Sequence, residues 1–115
     1  MDLESFRSFC LAHPATTEDT PFGENVLVWR IGGKLFALTD VNRFPAAVNL
    51  KCDPERAVEL RERYEGVLPG YHQNKRHWNT VLLDGSVPDA EIRAMIDHSY
   101  EIVRASLPKS VRTAL

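Results

Sequence analysis

The stretch Tyr71-His72-Gln73-Asn74-Lys75-Arg76-His77-Trp78 holds the densest chemistry in this 115-residue chain. It contains no acid and combines two fixed cations, two histidines, two side-chain amides and two aromatic rings. Cations and amides suit phosphate contact, and aromatic rings offer stacking platforms for a base or another flat group. The same residues admit a packing role, with Tyr71 and Trp78 as core anchors and Lys75 and Arg76 as solvated cations at a loop tip. A Trp that opens a strand packs inward as a rule. His72 and His77 lack the further ligands a metal requires, and the cations between them oppose a divalent ion. Cys10 with His13, and Ser99 beside Tyr100, lack the orienting third group of a nucleophilic site. His98 is expected to face solvent. No GxGxxG, P-loop, HExxH or GxSxG string is present, so nucleotide-fold, zinc-protease and hydrolase chemistry find no motif. Binding is expected rather than catalysis, without cofactor or metal.

The elements that must position these residues follow from periodicity and punctuation. Leu3, Phe6, Phe9/Cys10 and His13 recur at helical spacing after Asp2, and Pro14 stops the helix. Residues 16–20 read as a short extended segment. Val26–Ile31 and Lys34–Thr39 are β-branched or aromatic runs joined by Gly32-Gly33, a hairpin whose two central residues need positive φ. Ala46–Lys51 alternates, with Val48 and Leu50 to one side and Ala47, Asn49 and Lys51 to a wet face. Asp53-Pro54 starts a helix with Ala57, Leu60 and Tyr64 buried, and Gly66 ends it. A long connection leads to a last strand at His77–Leu83. Ser86 and Asp89 fit a capping box before the strongest helical repeat, Ile92, Met95, Ile96, Tyr100, Val103 and Leu107. Pro108 ends that helix, leaving a short basic tail. The sum is one α+β domain over 1–115, a two-layer sandwich of about five antiparallel strands and three helices.

Composition adds bounds. The chain is 43% apolar and 26% charged, as an ordinary globular domain is. It has no apolar run long enough to span a membrane and no signal-peptide start, which points to the cytoplasm. Cys10 and Cys52, outside any CxxC pattern, are then expected reduced and buried or half-buried. Charge is uneven. Residues 25–52 and 66–83, mostly sheet and its loops, carry six Lys/Arg against one acid, and the rest carries eight against fifteen.

At Pro69 to Val81 the sequence resembles the MmcQ/YjbR family, small bacterial cytosolic domains, most specifically in Asn74-Lys75-Arg76-His77-Trp78. The likeness continues through Leu83-Asp84-Gly85-Ser86-Val87-Pro88-Asp89, Ser99-Tyr100, Val103 and Leu107-Pro108-Lys109. Earlier it takes in Phe22-Gly23, Gly33-Lys34-Leu35-Phe36-Ala37 and Leu50-Lys51-Cys52-Asp53-Pro54-Glu55. Alanine is commoner than Gly70 in the pattern. The resemblance implies a frataxin/CyaY-like and secretion-chaperone-like sandwich, a label of predicted DNA-binding protein, and site positions at Tyr71, Asn74, Lys75, His77 and Trp78. Iron donation is not expected, because the first helix offers only Glu4 and the capping Asp2, interrupted by Arg7.

The leading expectation is therefore weak, largely sequence-independent DNA binding. Lys75, Arg76, Lys34 and Lys51 would contact phosphates, Asn74 or Gln73 a base edge or backbone, with Tyr71 and His77 in the same site. The alternative is a protein-interaction module that docks a partner or a second copy. A third reading, a small-ligand binder or enzyme around Tyr71, His72 and His77, requires a pocket.

Overall fold

The computed structural model describes residues 1–115. In chain order the elements are α1 (Leu3–Ala12), β1 (Thr17–Asp19), β2 (Val26–Ile31), β3 (Lys34–Asp40), β4 (Ala47–Lys51), α2 (Pro54–Arg63), β5 (Val67–Pro69), β6 (Trp78–Leu82), α3 (Asp89–Ser106) and α4 (Lys109–Thr113). The strands form one antiparallel sheet in the order β1-β2-β3-β4-β6-β5. The class is α+β, as expected, with six strands and four helices. The extra strand is β5, three residues ending in proline, and the extra helix is the basic tail. No helix is long and apolar enough to cross a membrane.

Helix starts follow the capping residues in two cases. Asp2 accepts from the Ser5 N–H at 2.7 Å, and that bond holds its carboxyl below the usual range. Asp53 accepts from the Arg56 N–H at 3.3 Å, with Pro54 next in the chain. The expected capping box of α3 is absent. Ser86 turns back to the Asp84 carboxylate through its N–H (3.0 Å) and hydroxyl (2.6 Å), and Pro88 takes the cap position. The end of α2 also differs. Tyr64 caps it in extended conformation, and Gly66 serves instead where a Cβ would lie 2.1 Å from Ser86 Oγ.

The main core lies between one face of the sheet and the helices. Trp29, Ile31, Phe36, Val48, Leu50 and Val81 from the strands meet Phe6, Cys10, Ala57, Leu60, Ile92, Ile96 and Tyr100. Removing each large apolar side chain from water contributes about 1.5–3 kcal/mol. Phe36 and Ala37 both enter this core although adjacent, because the β2–β3 register shifts between Trp29 and Arg30. Both cysteines are free and buried. His98, expected at the surface, is half-buried: its Nε2 accepts from the Asp53 N–H at 3.1 Å.

The opposite face carries no helix, yet it is not bare. Val28, Leu38 and Trp78 make a second buried cluster there, so Trp78 is an anchor on the outer side of the sheet. Asn49 and Ala47, expected on a wet face, are also buried, at 7% and 3% exposure. The sheet edges are short. In β1, Glu18 is tied to Arg7 at 2.7 Å and Asp19 to Arg30 at 3.3 Å; β5 ends in Pro69.

Candidate functional site

What covers Asn49 and Ala47 is the connection between β5 and β6, residues 70–77. Its own side chains and backbone hold it down. Gly70 donates its N–H to Trp78 O (2.9 Å), and Gly70 O accepts from Gln73 N–H and from the Lys75 ammonium at 3.0 Å. Asn74 Oδ1 accepts from Arg76 N–H at 2.9 Å, and His77 O accepts from Cys52 N–H at 2.8 Å. A relay then ties the loop to the sheet. Tyr71 N–H donates to Thr80 Oγ1 (2.9 Å), whose hydroxyl donates to Asn49 Oδ1 (2.5 Å). Registry makes this possible, because Thr80 stands opposite Asn49 and Asn49 opposite Leu38 on one face.

Between this loop and the β2 and β3–β4 connections lies a groove of about 630 Å³, within the range of small-ligand sites. Val26, Leu38 and Ala47 form its apolar floor, and Arg43, Tyr71 and His72 stand at its rim. His72 adopts φ +58, an uncommon value for a non-glycine residue. Its ring comes 4.0 Å, centroid to centroid, from that of Tyr71. The Arg43 guanidinium sits 5.3 Å over the other ring partner, Tyr71, a cation–π distance. Phe22 joins the rim at 65% exposure, and Phe44, next to Arg43, is 95% exposed.

The residues expected to form a site are placed as follows. Tyr71 is exposed and lines the groove. Asn74 and Lys75 are exposed but bonded to loop backbone. The Lys51 ammonium lies 5.4 Å over the Trp78 ring. His77 is half-buried. Arg76 faces α2 beside Glu55 and Glu59. Lys34 reaches Ser106 at 3.4 Å, toward the end of α3. The cations thus spread over different sides of the loop and sheet instead of forming one dense patch. Sequence reasoning overlooked Arg43, Asn49, Asp40 and Phe22 as groove residues. The cation excess of residues 25–52 was the one signal pointing toward Arg43, and nothing marked the other three. No three His, Cys, Asp or Glu side chains converge in a metal-ligand group.

Comparison with known proteins matches the fold and the loop to a family. The family model described as YjbR matches residues 11–102. The chain is 34% identical to the Escherichia coli (strain K12) protein YjbR over 115 residues, covering 100% of this chain and 98% of that protein. It is 40% identical to Bacillus subtilis YyaQ over 57 residues, half of this chain and 48% of the other. The crystal structure of Deinococcus radiodurans DR2400, a DUF419 domain, superposes with TM-score 0.91 at 37% identity, over 97% of this chain and 86% of that one. A Pseudomonas syringae protein gives TM-score 0.76 at 29% identity, covering 90% and 99%.

Proposed function

The chain belongs to the YjbR family, and from that premise we propose that it is a binding protein whose ligand is single-stranded nucleic acid, held along the loop-draped outer face of the sheet. One observation carries this: exposed Phe22 and Tyr71, with the Arg43 guanidinium, border a single groove. Stacking rings beside a cation are the ingredients of strand binding without a duplex. Duplex DNA hides its base faces and would use only the cations, which here are dispersed. Lys75 on the same loop adds an exposed cation, whereas Arg76 lies toward α2 beside Glu55 and Glu59 and adds none to the groove.

The test is fluorescence anisotropy of a labelled deoxythymidine 12-mer, single-stranded and annealed, at low salt. The single strand binds more tightly than the duplex. Two cations (Arg43 and Lys75) give a shallow salt slope of about −1.4 in log K against log salt, at roughly 0.7 per phosphate on single strands. Tyr71→Ala weakens binding by about 1–3 kcal/mol, the usual worth of one stacked base. Absence of binding to any strand, or affinity indifferent to both Tyr71→Ala and Arg43→Glu, overturns the proposal.

A second reading, docking of a protein partner, draws on Phe44, which projects almost wholly into solvent. It predicts that Phe44→Ser abolishes association while Arg43→Glu and Lys75→Glu leave it intact.

A further inference from the structure

Asn49 sits in the floor of the groove with 7% of its surface exposed. Its Oδ1 is occupied by the Thr80 hydroxyl, which is itself held by the Tyr71 N–H, so the amide orientation is fixed by the relay. That leaves Nδ2 as a donor with no acceptor in the protein, opening into the groove. Nδ2 is not sealed from solvent, as the unpaired Thr16 Oγ1 and Asn79 Oδ1 are, so an acceptor in the groove takes the place of water on a donor whose direction is already fixed. Asp40 lies on the same face, two residues along β3 from Leu38, and Leu38 is paired with Asn49. Asp40 and Asn49 are therefore diagonal neighbours, with Cα atoms about 7–8 Å apart. One Asp40 oxygen accepts from the Asn42 N–H at 2.9 Å, and the other remains an acceptor that lines the groove.

We infer that this donor–acceptor pair reads the keto–NH edge of a flat heterocycle lying on the Val26, Leu38 and Ala47 floor. The inference rests on the nucleic-acid reading of the same groove and gives it a base preference. Asn49 Nδ2 donates to the ring carbonyl, and the free Asp40 oxygen accepts the adjacent ring N–H. Thymine, uracil, guanine and hypoxanthine present that edge. Adenine and cytosine present an amino group beside a bare ring nitrogen, so a donor would face a donor and an acceptor would face a lone pair. The Tyr71 ring and the Arg43 guanidinium are the groups available at the rim to stack and to hold a phosphate. The ligand can be a nucleotide within a strand or a free one, since both carry the same edge.

The experiment compares dT6, dU6, dA6 and dC6 by anisotropy, and thymidine, guanosine, adenosine and cytidine 5′-monophosphates by following the Asn49 side-chain amide in NMR spectra. Thymine- and uracil-bearing ligands bind about tenfold more tightly than adenine or cytosine ones, the scale of one two-point edge contact. Asp40→Asn leaves the exposed acid position isosteric but replaces the free acceptor with a donor, and the preference disappears. Asn49→Asp removes the floor donor and does the same. Asp40→Asn decides the matter alone if Asn49→Asp fails to fold. Equal binding of all four hexamers, or a preference untouched by Asp40→Asn, overturns the edge-reading inference and leaves strand binding standing. Selective mononucleotide binding without hexamer binding supports the inference and overturns the strand reading. No binding of either kind overturns both.

Discussion

Thr80 is the residue on which the loop and the groove floor both depend. Its hydroxyl accepts from one side and donates to the other. Thr80→Val therefore strands the Tyr71 N–H and Asn49 Oδ1 at once, and urea denaturation should show a loss of about 2–3 kcal/mol, with Thr80→Ser close to the parent protein. Nothing in the sequence marked this relay. Asn49 sits in a segment that alternates as a half-exposed strand does, and the segment that buries it arrives more than twenty residues later. His98 was misjudged for a related reason. It falls on the flank of α3, where periodicity separates core from solvent poorly, and its partner Asp53 comes from another element. Burial first, and the nearby Arg56 charge second, hold its imidazole below the ordinary value of 6.5. The unfolded chain then binds a proton more readily than the folded one, so stability is full above pH 6.5 and falls as the pH drops below it toward the folded value. Thermal melts from pH 7.5 to about pH 5 should show this descent. His98→Gln, which keeps an acceptor for the Asp53 N–H, should flatten it.

At the scale of elements, legibility tracked distance along the chain. The β2–β3 hairpin was plain because Gly32-Gly33 states its own requirement, and the two residues take φ +57 and +84. The register shift beside Trp29 and the strand β5 were not legible: a bulge breaks the alternation that would reveal it, and three residues ending in proline carry no strand signature. The two turn glycines are not equivalent. A Cβ on Gly33 would meet nothing within 4 Å, whereas one on Gly32 would lie 2.5 Å from Leu107. Gly33→Ala should cost about 1 kcal/mol from backbone strain alone. Gly32→Ala should cost about 1–3 kcal/mol more by displacing Leu107, as chemical denaturation would measure. Gly70 is a glycine required by a close approach. Its Cβ would stand 2.7 Å from Trp78 Cβ and 2.9 Å from Trp78 O. Gly70→Ala should lift the 70–77 loop from β6, seen as faster amide exchange at Tyr71 and Gly70.

Across the whole molecule, the α+β class and the helix-covered core followed from binary patterning, which local sequence carries. The outer face did not, because a loop covers it without periodicity of its own. The charge split along the sequence also misled in part: chain segments rich in cations do not have to place them together, and folding sent Lys34, Lys51 and Arg76 to different surroundings. Both thiols lie inside the protein, with Cys52 pushed up to about 11 by burial and Cys10 higher still. Alkylation at pH 8 should be negligible in the native state and should follow the global unfolding rate, which mass spectrometry can time against a denaturant series. The edges of the sheet carry a different consequence. A newcomer seeking to extend the ladder meets a three-residue strand whose two acids are already committed to Arg7 and Arg30 on one side, and a proline on the other. Neither margin can template a long run of main-chain bonds, so copies of this protein that meet must recognise one another through side chains, and fibrillar growth by strand recruitment is closed to the folded state.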